Sequence, residues 1–243
     1  MSSLQLEAVN RDKDSDPLTL TVTPGKDVVG IPFNPKVKHW QFASPLSKVA
    51  LRAADFKSAR VTFRWPSLST TCECDQVGLL FVRSLPGLPA PDAAKPGDAE
   101  SAPYYIKYGL EAVRGQPIIA VAGSNHRLDW STWPTTPKHL ESLTIEFLRY
   151  GSGLLARLIP PADESGAGKQ EPTTIRLFTW PLANPSDADP NIWICIYISR
   201  PDTNNTTSEG FSANSTTSRL RRSKVLDCRI AIYSRFLSIP PTQ

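Results

Sequence analysis

The chemistry-bearing side chains of this chain are few and scattered. The densest charged group is Arg219, Arg221 and Arg222 with Lys224, after a Ser/Thr/Asn-rich stretch. Guanidinium and ammonium groups so close together suit salt-sensitive contact with the phosphates of RNA, although a solvated loop needs the same residues. The cysteines are Cys72, Cys74, Cys195 and Cys228, and His39, His126 and His139 stand apart from them. One C-x-C pair without a second lacks the spacing of a tetrahedral zinc site, so no metal is expected. Cys195 and Cys228 alternate with apolar residues and read as small core groups, in keeping with a reducing compartment. His126 lies near Asp129, but no G-x-S-x-G, H-E-x-x-H or P-loop completes a catalytic set. Gly151-Ser152-Gly153 reads as a hairpin turn, not a nucleophile elbow. No enzyme and no cofactor are expected. Trp130, Trp133 and Trp180 are candidates for contacts between subunits, since tryptophan offers much apolar area at small entropic cost; packing at the ends of a core is the alternative.

The elements that would carry these residues are mostly strands. With 243 residues, 23 prolines and a net charge of +4, the chain suits short strands and long connections, and its charge is too small for binding nucleic acid through its overall field. Alternating or continuous apolar runs predict strands near residues 18–22, 28–31, 59–65, 77–82, 117–122, 143–148, 154–159, 173–180, 192–198 and 225–239. Ser44-Pro45 reads as an N-cap with proline at the first helical position, and Leu46, Val49, Ala50 and Ala53 recur at helical spacing, which predicts a short helix over residues 46–56. Residues 104–113 could hold a helical turn or two. Trp130 and Trp133 fall in a Pro/Thr-rich connection. Residues 85–103 and 160–172 read as long surface insertions.

Residues 1–16 are polar and of mixed charge and read as a flexible arm; residues 17–243 form one domain. The first residues lack the basic and apolar regions of a secretory signal, and there is no apolar run of membrane-spanning length. The sequons at Asn204, Asn205 and Asn214 are then read as products of a polar loop. At least eight strands with no fixed repeat predict an all-β fold, an eight-stranded antiparallel jelly-roll β-sandwich with one or two short helices in its loops.

The order of the helix at 46–56, the Lys57-Ser58-Ala59-Arg60-Val61-Thr62-Phe63 strand, a Ser/Thr turn and the Gly78-Leu79-Leu80-Phe81 strand resembles coat proteins of small icosahedral positive-strand RNA viruses, tymovirus-like or picorna-like. The likeness covers about a sixth of the chain. It implies a capsid protein that self-assembles, alone or with related coat proteins, into a shell around viral RNA, located in the virion after assembly in host cytoplasm, with no membrane partner. The arm departs from many such coats, since it carries only Arg11 and Lys13 against four acidic residues. The alternative is a non-viral β-sandwich binding module, lectin-like or cupin-like, that recognises a ligand through its loops.

Overall fold

The computed structural model describes residues 6–14, 19–31, 39–65, 68, 71–161 apart from 86, 89, 99 and 126, then 171–183, 191–201 and the strand at 226–232. In chain order the strands are β1 (Glu7–Val9), β2 (Thr19–Val22), β3 (Val28–Ile31), β4 (His39–Phe42), β5 (Leu46–Arg52), β6 (Ser58–Phe63), β7 (Gln76–Arg83) and β8 (Tyr104–Val113). There follow β9 (Gln116–Ser124), β10 (Leu128–Trp133), β11 (Leu143–Tyr150), β12 (Gly153–Ile159), β13 (Thr173–Phe178), β14 (Asn191–Ser199) and β15 (Leu226–Ile232), with helix α1 (Pro137–Glu141) between β10 and β11.

These strands build an all-β antiparallel sandwich. One sheet has seven strands, β1-β5-β14-β7-β8-β9-β10, and the other six, β13-β12-β11-β6-β15-β2, while β3 and β4 make a separate hairpin. Period-two alternation explains the layering. Val77, Leu79, Phe81, Ile106, Tyr108, Leu110, Ile119 and Val121 turn inward from the first sheet to meet Val61, Phe63, Ile145, Phe147, Leu154 and Ala156 of the second. Such fully buried side chains contribute roughly 1.5–3 kcal/mol each. The intervening residues of the seven-stranded sheet face outward, where Leu80, Val82, Tyr105, Trp193, Cys195 and Tyr197 form a second cluster with Val28 and Phe42 of the β3–β4 hairpin. The hairpin thereby covers part of the outer face; the outward residues Lys107, Ala120 and Ala122 of β8 and β9 are buried beside it, and β10 beyond them is exposed.

Three sequence expectations are corrected. The predicted helix over residues 46–56 is strand β5, followed by a single 3-10 turn at Ala53–Asp55. β5 pairs along seven positions with β14 and on its other side with β1, so sheet pairing satisfies a backbone whose helical face is narrow. Ser44 does not cap a helix; its hydroxyl lies 2.6 Å from that of Ser199. Residues 104–113 are the ten-residue strand β8, paired on both sides. The connection expected to hold Trp130 and Trp133 is β10 itself.

The arm expectation also meets observed structure. Glu7–Val9 adds to the edge of β5, and the Asn10 side chain donates to Phe42 O at 2.7 Å while accepting from the Ala93 amide at 3.0 Å. The two sheets are linked along one side, where Arg176 of β13 donates to Ser131 Oγ at 2.9 Å and pairs with Asp129, both on β10.

Candidate functional site

The outer face beside the hairpin collects polar groups from several strands, with Gln76, Lys107 and Tyr197 nearly buried and Trp130 exposed. Lys107 and Glu111 are four residues apart on β8 and so share that face, with Gly109 between them. Gln76 on β7 stands across from Glu111, Ala122 and Ala120 on β9 stand across from Lys107 and Gly109, and Trp130 on β10 stands across from Ala122. Tyr197 on β14 lies opposite Gly78. Gln76, Lys107, Gly109, Glu111, Ala120, Ala122 and Tyr197 line a small, shallow, open depression.

Glycine sets its floor. Gly78 and Gly109 are direct cross-strand partners, and a Cβ on Gly109 would lie 2.0 Å from Val77 O, so no other residue fits that approach. With Ala120 and Ala122 alongside, the sheet is left without bulk between the longer polar side chains.

Hydrogen bonds fix those side chains. Trp130 Nε1–H donates to Glu111 Oε2 at 2.9 Å, which holds an indole that is 47% exposed against the margin of the depression. Gln76 Nε2 donates to Glu111 Oε1 at 3.4 Å, and Tyr197 Oη donates to Gln76 Oε1 at 3.5 Å. Lys107 Nζ sits 3.3 Å from Asp27 Oδ1, which also accepts the Val28 amide at 2.7 Å. An ammonium has three N–H groups, so this ion pair leaves donors over.

Burial shapes the charges. Desolvation pulls the Lys107 ammonium down, but Asp27, Tyr105 and Glu111 more than offset it and hold it above its ordinary value. Glu111 moves up because burial outweighs Lys107 and the Trp130 hydrogen bond. Burial also pushes Tyr197 well above the usual phenol value. The cationic, acidic, amide and phenolic groups thus offer donors and acceptors in fixed positions beside an aromatic surface. Their arrangement can orient a small polar molecule.

No family model and no curated protein matches the chain. Among solved structures, a functionally unknown protein from Saccharomyces cerevisiae is similar at a TM-score of 0.54 and 14% identity, covering 80% of this chain and 87% of that one. This likeness shows the fold alone. LamAcat from Zobellia galactanivorans matches at a TM-score of 0.38 and 12% identity over 77% of this chain and 65% of that one. The CBM2 module of the evolved Dit of Lactobacillus casei BL23 phage J-1 matches at 0.35 and 8% identity over 96% and 100%. Scores so low carry no argument about this chain.

The residues singled out in the sequence lie elsewhere for the most part. Arg219, Arg221, Arg222 and Lys224 fall outside the described residues, as does His126. Asp129 is bound by Arg176, and His139 Nδ1 accepts the Thr136 amide at 3.1 Å at the start of α1. Trp180 packs edge-on against Tyr104 and Phe178, at ring-centroid distances of 5.9 and 6.2 Å, which uses it inside the fold. Trp130 and Trp133 are exposed on β10, and only Trp130 reaches the depression's polar groups. Cys195 is buried with its thiol raised by desolvation, and Cys74 is pushed up to about 11, again chiefly by burial. Neither is an activated thiol. Lys107 and Glu111 escaped notice because residues 104–113 read as partly helical, where the alternation of Tyr105, Lys107, Gly109 and Glu111 with Ile106, Tyr108, Leu110 and Ala112 was the available signal; Gln76 and Tyr197 lie on or beside strands that were legible, but their meeting depends on sheet pairing.

On the six-stranded sheet the charged centre is closed. Glu146, 4% exposed, accepts Arg60 Nη2 at 2.9 Å and is also held by Arg157. Those arginines tie three adjacent strands together.

Proposed function

We propose that this protein is a binding module that holds a neutral, polyhydroxylated ligand, a carbohydrate ring or short oligosaccharide, on the outer face of its seven-stranded sheet. The observation that carries this reading is the hydrogen-bonded set Trp130–Glu111–Gln76–Tyr197 around a floor of glycine and alanine, with Lys107 beside it. A sugar ring has an apolar C–H face and a rim of hydroxyls. The face suits contact with an exposed indole, and hydroxyls that both donate and accept suit a carboxylate, an amide, an ammonium and a phenol. Lys107 is neutralised by Asp27, so the site carries no surplus positive charge that would favour an anion.

Binding without cleavage belongs to this reading. Glycoside hydrolysis ordinarily needs two free carboxyl groups flanking one bond, about 5–9.5 Å apart. Here Glu111 is the carboxyl group lining the depression, while Asp27 is taken up by Lys107 and the Val28 amide.

The shell-forming role implied by the coat-protein resemblance drew its distinctive support from a helix at residues 46–56, where the chain forms β5. Titration of the protein with neutral tetrasaccharides of glucose, mannose and galactose, followed by tryptophan fluorescence, tests the binding reading. Saturable binding to at least one, weakened about tenfold in Trp130→Ala, a loss of about 1.4 kcal/mol, is expected. No response to any of them, or a response that Trp130→Ala leaves unchanged, would refute it. A large closed particle on sedimentation would favour the shell instead.

A further inference from the structure

The edge of the seven-stranded sheet is built to accept another strand. Among the described residues, β10 is the last strand of that sheet and pairs only with β9. The side of β10 that remains open follows from the hydrogen-bond parity of the sheet. The two-residue turn Arg114-Gly115, with φ of 54° and 74°, closes the β8–β9 hairpin, so Val113 and Gln116 are its first hydrogen-bonded pair. The alternation is seen on the other side of β8, where the Ala112 amide donates to Asp75 O at 2.8 Å. Carried along β9, it directs the backbone groups of Ile119, Val121 and Gly123 toward Trp133, Ser131 and Asp129. Leu128, Trp130 and Thr132 therefore point their N–H and C=O groups away from the sheet.

Such an edge is normally guarded by lysine, proline, a bulge or an unpaired charge. β10 contains no lysine or proline, and its pairing with β9 is regular over all six residues. Its single charged side chain, Asp129, is neutralised by Arg176 of the other sheet. Trp130 and Trp133 remain 47% and 46% exposed there.

We propose that β10 pairs antiparallel with β10 of a second copy of this chain, about a two-fold axis at Trp130, to join two seven-stranded sheets into one. In that register Trp130 meets its own counterpart, Leu128 meets Thr132 of the second copy and Asp129 meets Ser131, so no like charges face each other. A second copy fits better than an acidic or basic partner because the six residues of β10 carry no charge beyond Asp129, which Arg176 already pairs. The two depressions then lie on one continuous face with both tryptophans between them. A six-residue edge with two half-exposed tryptophans per copy belongs at or below the small end of interface sizes, about 1,200 Å², so the dimer is weak and concentration-dependent.

Sedimentation equilibrium of the full chain from low to high micromolar concentration tests this, with Thr132→Pro and Thr132→Lys as variants. Proline there removes an outward N–H that the chain itself does not use, and lysine is a natural edge guard, so the fold survives. The expected result is a monomer–dimer equilibrium in the native protein, weakened at least tenfold in both variants, with far-UV circular dichroism unchanged. A monomer at every concentration, a dimer indifferent to both substitutions, or a large closed particle would overturn the proposal. Sugar titration of Thr132→Lys keeps this outcome separate from the ligand reading: binding by the monomeric variant leaves that reading intact, and loss of sugar binding in an unaltered dimer refutes only the ligand.

Discussion

Replacing Asp75 with alanine strikes a buried ion pair on which both the sandwich and the depression depend. Asp75 is 0% exposed and the Arg200 side chain 2%. The carboxylate accepts Arg200 Nε at 2.8 Å, Arg200 Nη2 at 2.5 Å and the Cys72 amide at 2.8 Å. Removing one partner of a buried pair costs about 3–5 kcal/mol, because the remaining charge stays desolvated. Against a total stability of about 5–15 kcal/mol for a domain, this is a large share. The damage reaches the site as well. Arg200 exchanges backbone hydrogen bonds with Lys26 at 3.0 and 2.9 Å, and the next residue, Asp27, is the partner of Lys107. Urea unfolding followed by fluorescence should lower the midpoint at unchanged m, by a loss of about 3–4 kcal/mol. The double variant Asp75→Ala/Arg200→Met should recover most of it, giving a coupling of about 2 kcal/mol or more. A loss under about 1 kcal/mol, or additive losses in the double variant, would refute the reasoning.

Other perturbations separate further parts of the account. Among the described residues, Tyr108 Oη is the buried side-chain polar atom without a hydrogen-bond partner, so Tyr108→Phe should leave stability unchanged or raise it by about 1–2 kcal/mol in the same assay; a loss above about 1 kcal/mol would show that the hydroxyl has a partner. Glu111 has a folded-state pKa raised above its ordinary 4.5, so its contribution to stability is full below that value and is lost as pH rises through the raised one. Glu111→Gln removes that dependence, and its stability relative to the native protein should rise with pH in denaturation series; a pH-independent difference would count against a desolvated carboxyl.

The strands were legible where the side chains alternate or run continuously apolar. Ile192 to Ile198 and Val77 to Val82 read as strands and are strands, since nothing competes with their patterns. Residues 46–56 misled because Leu46, Val49, Ala50 and Ala53 fit a helical stripe as well as a sheet strand, and the deciding partners, β1 and β14, are distant in sequence. Much the same happened at β8. Its pairing with β7 and β9 gathers Gln76, Lys107, Glu111, Tyr197 and Trp130 from four strands, and no local spacing announces such a site. Trp130 stands out in the sequence as an aromatic suited either to contacts between subunits or to packing at the end of the core, but its bond to Glu111 depends on a register that only the folded sheet supplies.

The claim that the outer face of the seven-stranded sheet holds a sugar is tested most directly by an NMR titration of the isotope-labelled protein with the neutral tetrasaccharides. The largest shifts are expected at the Trp130 indole N–H and at the amides of Lys107, Glu111, Ala120 and Ala122, with the Arg60–Glu146–Arg157 face unmoved. Absence of shifts with every sugar, or shifts centred on that opposite face, would contradict it.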